Sequence, residues 1–126
     1  MHIPDFQLGP EITPEQHAFF DEHGFIRFRS VATHAEIDLL LEGLEALEAG
    51  FIAEGRDRVM GTPLKFGAKD DGSPFIQRFA FTSHYSRVIH DFVCDPRFDA
   101  VRRFIGCDAR LAEIEKDGVV VNHWFN

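Results

Sequence analysis

Val119-Val120-Val121-Asn122-His123-Trp124-Phe125-Asn126 (VVVNHWFN) is the most β-prone run of the chain. A run rich in Val, Trp and Phe suits a pleated, half-buried strand. Lys116-Asp117-Gly118 just before it has the composition of a hairpin turn. Upstream, Arg110 to Glu115 alternates Leu111, Glu113 and Glu115 against Ala112 and Ile114, a second strand. Phe75 to Thr82 (FIQRFAFT) predicts a third, with Phe75, Gln77, Phe79 and Phe81 toward a core and Ile76, Arg78, Ala80 and Thr82 on the other face. Leu64 to Phe66 adds a short strand, and Lys69 to Ser73 supplies the turn between these last two. A Val/Trp/Phe strand needs a sheet to lie in, and this one runs to the last residue. The expectation is therefore an incomplete sheet, finished by sequence beyond Asn126.

Working back toward the N-terminus, the pattern changes to helices. Met1 to Glu11 reads as an extended lead-in. Thr13-Pro14-Glu15-Gln16 is a capping box with proline at the first helical position, and Gly24 is placed to end the helix Pro14–His23. Phe25 to Val31 reads as a strand, with Ile26 and Phe28 on one face and Arg27 and Arg29 on the other. A second box, Thr33-His34-Ala35-Glu36, opens a helix over His34–Ala53. Ile37, Leu40, Leu41, Leu44, Leu47 and Phe51 form its apolar stripe, with Glu42, Glu45 and Glu48 mostly off it. Gly55 to Gly61 reads as loop. Two short helices follow, over His84–Val93 and from Asp95-Pro96 to Gly106. Together these predict a single α+β domain over residues 1–126.

Composition narrows the function classes. Fourteen phenylalanines among 126 residues predict a thick core, and a formal net charge of −8 repels nucleic-acid phosphates, so no nucleic-acid partner is expected. Cys94 and Cys107 make neither a disulfide framework nor a metal pair; two half-buried thiols are expected. Neither a signal segment nor a membrane-spanning run is read, so the expected location is cytoplasmic and no membrane partner is expected.

A capped helix ending in His23-Gly24-Phe25-Ile26, a strand, and a Thr-x-x-Glu helix rich in Leu and Glu come in a telling order. Then follow Asp95-Pro96-Arg97-Phe98-Asp99-Ala100-Val101-Arg102-Arg103-Phe104-Ile105-Gly106, an Arg-Leu strand and a strand ending in Asn. This ordered set, which covers most of the chain, resembles the N-terminal part of the iron(II)- and 2-oxoglutarate-dependent oxygenases of the phytanoyl-CoA dioxygenase family. The resemblance implies N-terminal helices and the first strands of a double-stranded β-helix, a small jelly roll, incomplete in this chain. It also implies iron(II) held by a His-x-Asp pair and a distant His, all beyond Asn126, with an arginine farther on for 2-oxoglutarate. Iron(II) and 2-oxoglutarate are then cofactors of the intact family protein, and neither is expected bound to this chain alone. No metal ligand and no catalytic residue is assigned here. The substrate would be a small organic molecule of unread identity, and hydroxylation against halogenation would be decided outside the chain.

Four residues remain as candidates for contact with the co-substrate. Asn122 and Asn126 are four apart in a strand, so they share a face, and their amides offer both donor and acceptor. They either contact the co-substrate, as the resemblance implies, or face water. Gln77 and Arg78 lie on a strand that flanks the pocket in the family, where some relatives carry a lysine and this chain has Phe75. Arg78 either brings positive charge to an acidic co-substrate or is a surface or salt-bridged strand residue; Lys65 is a weaker candidate. The His-x-Glu match at His34 and Glu36 is read as the capping box, His84 and His90 as ordinary surface or half-buried histidines, and His123 as a satisfied strand histidine. The contrasting reading is a complete, non-catalytic α+β module that self-associates or binds a partner through the open edge of its C-terminal strand.

Overall fold

The computed structural model describes residues 1–104, 106, 108–109 and 118–123. In order, the elements are β1 (Phe6–Gln7), α1 (Pro14–His23), β2 (Phe28–Arg29), α2 (His34–Ala53), β3 (Arg58–Val59), β4 (Thr62–Pro63), β5 (Lys65–Ala68), β6 (Pro74–Phe79), α3 (Thr82–Tyr85) and α4 (Arg87–Val93). A 3-10 turn (Pro96–Phe98) then leads into α5 (Asp99–Arg102), and β7 (Val121–Asn122) comes last. The architecture is mixed α+β, and among the described residues its small sheets are all open. The expected strand over Arg110–Glu115 and the last three residues of the C-terminal run lie outside the described residues. Among the described residues no helix is long and apolar enough to cross a membrane.

The chain forms two compact units, one from Met1–Glu36 with Cys94–Leu111 and one from Ile37–Val93 with Ala112–Asn126. In the first, α1 begins and ends where its caps predict. The Thr13 hydroxyl accepts from Gln16 N, Gln16 Oε1 accepts from Thr13 N, and Gly24 closes the helix at φ 75°. Gln16 is buried, and its amide nitrogen also donates to Gln7 O at 2.8 Å, which ties the helix to the lead-in. That lead-in is a strand, not merely extended chain: β1 pairs parallel with β2, Phe6 opposite Phe28. Aromatic edges fill the space between, with Phe19 meeting Phe6 at 5.4 Å and Phe25 at 5.5 Å, and Phe20 meeting Phe104 at 4.7 Å.

The second capping box carries an additional partner. Glu36 accepts from Thr33 N, as expected, and the same carboxylate receives the Arg97 guanidinium through both of its oxygens. Arg97 also donates to Val31 O at 2.8 Å and to Asp95 Oδ1 at 3.0 Å, while Asp95 caps the 3-10 turn by accepting from Arg97 N. The Arg97 hydrogen bonds, with that from Thr33 N behind them, hold Glu36 at about 2, below its ordinary 4.5. Arg97 lowers Asp95 in the same way and is itself raised by both carboxylates.

In the second unit α2 packs on a three-stranded antiparallel sheet of order β5-β6-β7. Leu44 and Phe51 join Val59, Leu64, Ile76, Phe79 and Ile89 in the core, with Leu40 and Leu47 partly buried against them. Ile37 and Leu41, expected on the stripe, are exposed, whereas Glu48 is buried. Helical arithmetic explains this: Glu48 follows Leu44 by four residues and precedes Phe51 by three, so it shares their face. Two other expectations change. Gly55 to Gly61 is not all loop, because β3 and β4 form a hairpin turning through Met60 (φ 47°) and Gly61 (φ 79°). The strand expected to reach Thr82 stops at Phe79: Phe81 takes a left-handed φ of 60°, and Thr82, wholly buried, starts α3.

That corner docks the last strand. Thr82 N and Thr82 Oγ1 both donate to Val119 O, at 2.9 and 3.0 Å, and Val119 N donates to Ser83 Oγ at 3.1 Å. With Val119 held, β7 runs beside β6 with Phe79 opposite Val121 and Arg78 opposite Asn122.

Candidate functional site

The sheet register brings together two of the four candidate residues. Directly opposed residues of an antiparallel pair project to the same face, so Arg78 and Asn122 form one cross-strand pair. On the other side of β6, Lys65 is the partner of Arg78, beside an irregularity between Lys65 and Phe66. A row of ammonium, guanidinium and amide thus crosses all three strands, and all three residues are exposed. Among the described residues neither Lys65 nor Arg78 is held in an ion pair. Several N–H donors with no competing carboxylate suit a ligand carboxylate, which Arg can engage with two parallel bonds.

Gln77 is not part of this row. It is one residue out of phase with Arg78, half-buried, and its backbone carbonyl accepts from His123 N at 2.8 Å. Asn126 lies outside the described residues. The histidines set aside as metal ligands are in ordinary settings: His34, His84 and His90 are exposed, and His90 Nδ1 lies 3.3 Å from its neighbour Asp91 Oδ1. Cys94 is exposed, where a half-buried thiol was expected, and Cys107 lies outside the described residues.

A second feature went unread in the sequence. Along α2 and the β5–β6 turn runs a groove of about 940 Å3. Leu41, Leu44, Ile52 and Phe75 give it apolar walls, and Glu45, Glu48, Lys69, Ser73, Asn122 and His123 give it polar groups. Glu48 Oε2 accepts from Ile76 N at 3.1 Å and lies 3.4 Å from His123 Nδ1. Burying a carboxylate is costly unless it is hydrogen-bonded, and these contacts fasten the helix to β6 and to the residue that follows β7. The available signal was the spacing of Glu48 within an apolar stripe. His123, expected as a satisfied strand histidine, directly follows β7 and turns its Nδ1 toward this buried acid.

Among the described residues no three His, Cys, Asp or Glu side chains gather as a metal set; the iron ligands that the resemblance implies are expected beyond Asn126. No family model matches the chain, and no characterised protein or solved structure gives a significant match.

Proposed function

We propose that the chain is the N-terminal part of an iron(II)- and 2-oxoglutarate-dependent oxygenase, whose helices and first strands belong to a jelly roll completed by further sequence. In this reading the Lys65–Arg78–Asn122 row receives a carboxylate of the co-substrate, and iron is held by residues outside the chain. The observation that carries it is the register of β6 on β7, which makes direct cross-strand neighbours of Arg78 and Asn122, two of the residues that the resemblance associates with the co-substrate. The antiparallel order β5-β6-β7 is compatible with the opening of a jelly roll. The row itself would do no bond chemistry: Arg78 would offer paired N–H donors, Lys65 a point charge, and Asn122 an amide that orients the ligand or a bridging water.

Titration of the chain with 2-oxoglutarate, followed by amide chemical shifts on β6 and β7, tests this without iron. Binding in the millimolar range is expected, since a few exposed charge-assisted bonds supply about 4 kcal/mol. Arg78→Ala should weaken it by about tenfold, the loss of one such bond, and Asn122→Ala by less. Binding that is absent, or unchanged in both variants, overturns the assignment. With iron(II) added, the chain alone should release no succinate.

A further inference from the structure

The geometry points to the groove between α2 and the β5–β6 turn as a binding site for a small organic cation, an alkylammonium group carried on an aliphatic body. The groove shares only Asn122 with the carboxylate reading of the sheet row, and either reading can fail without the other.

Size and lining come first. At about 940 Å3 the groove falls in the range of small-molecule pockets, and such pockets typically combine apolar walls with a few placed polar groups. Leu41, Leu44, Ile52 and Phe75 offer apolar contact, and Ala49 and Ala53 keep the helix side shallow. Leu41 is half exposed despite its size, an apolar surface that a ligand's aliphatic body would cover.

Charge selects the occupant. The ionisable groups on the lining are Glu45 and Glu48 from α2, Lys69 from the turn, and His123 after β7. Lys69 and Glu45 are exposed, where water screens them, so Glu48 is the one buried carboxylate on this wall among the described residues. Its contacts with Ile76 N and His123 Nδ1 both involve Oε2. Oε1 retains acceptor capacity, and a carboxylate has about four lone-pair sites in all. An ammonium group would complete that set with a charge-assisted bond in a partly desolvated position, where such bonds are strongest. A carboxylate ligand would meet repulsion from the same atom, and an alcohol would gain only a neutral hydrogen bond. The overall charge of −8 also favours approach of a cation.

Hexylamine, hexanol and hexanoate, titrated at mildly alkaline pH into the isotopically labelled chain, give matched probes. The readout is the amide shifts of Ala49, Ile52 and Ser73, which line the groove away from the sheet row. Hexylamine should bind there about tenfold more tightly than hexanol, the worth of one charge-assisted over one neutral bond, with hexanoate weakest. Glu48→Gln keeps an oxygen for Ile76 N while removing the charge, and should bring amine and alcohol to within about twofold. Should that variant fail to fold, Ala49→Phe, at an exposed helical position, should fill the groove and abolish the shifts for all three probes. Equal binding of amine and alcohol to the native chain overturns the site, as does an amine preference surviving Glu48→Gln or unchanged shifts in Ala49→Phe.

Discussion

At the scale of single residues, Arg97 is the most heavily committed side chain of the first unit. It binds Glu36, Asp95 and Val31 O together, and so joins the second capping box to the turn that begins at Pro96. Arg97→Ala should lower the melting temperature by several degrees at neutral pH, because it removes the guanidinium donors from two carboxylates and from the Val31 carbonyl. The pH dependence follows from the direction of the Glu36 shift. A folded-state value near 2 against an ordinary 4.5 means that the unfolded chain takes up the proton first as pH falls. The contribution of Glu36 is therefore complete above its ordinary value and disappears as pH drops through about 2. Melting curves should show the gap between native chain and Arg97→Ala constant from neutral pH to about 5, then closing toward pH 2. A gap still undiminished in strong acid would mean that Arg97 acts through packing rather than through Glu36.

At the scale of elements, Gly67 and Phe75 face each other across β5 and β6. A methyl group on Gly67 would come within 2.4 Å of the Phe75 ring, which is itself buried and forms part of the groove wall. The aromatic ring covers the bare backbone of a strand glycine, so the pair acts as one packing unit. Gly67→Ala should cost about 1–3 kcal/mol in urea unfolding, the usual penalty for overpacking. Combining it with Phe75→Leu should recover part of that loss, and a merely additive double variant would show that the two do not share a contact.

The same elements show what could be read from the chain. Both long helices were legible because capping boxes fix their starts, with Gly24 marking the end of α1 and an apolar stripe running along α2. The hairpin of β3 and β4 was not, because its tight turn asks for left-handed backbone at Met60, a residue that rarely adopts it, in place of the usual Asn or Asp. The end of β6 was misread for a related reason: the alternation continues through Phe81, but the backbone turns left-handed there so that buried Thr82 can grip Val119. Within the site, strand parity paired Asn122 with neighbours on one face, yet no sequence rule fixes which residue of another strand lies opposite. That register depends on the Thr82–Val119 contact, a tertiary event. The residue type of Glu48 points to water, as for most carboxylates on a long helix, while its spacing from Leu44 and Phe51 points to the core, and here the spacing prevails.

At the scale of the whole molecule, charge separates the partners that can come close from those that cannot. The chain carries −8 in total, while Lys65 and Arg78 make a local cationic row on one sheet face. A small dicarboxylate fits inside the range over which two nearby cations dominate, about one Debye length, or roughly 8 Å at physiological salt. A polyanion spans many such lengths and meets the net negative field as well as the row. Two measurements follow. The chain should pass through a heparin column without retention at physiological salt, yet be held by an anion exchanger above its isoelectric point of about 5.2. Binding of 2-oxoglutarate to the row should weaken as salt rises, by less than about tenfold between low and physiological ionic strength, because only two charges are in play; a protein gripping a nucleic-acid backbone at many phosphates loses far more. Retention on heparin together with steep salt dependence would mean that the cationic row belongs to a wider basic surface, and would move the expected ligand from a small acid to a polyanion.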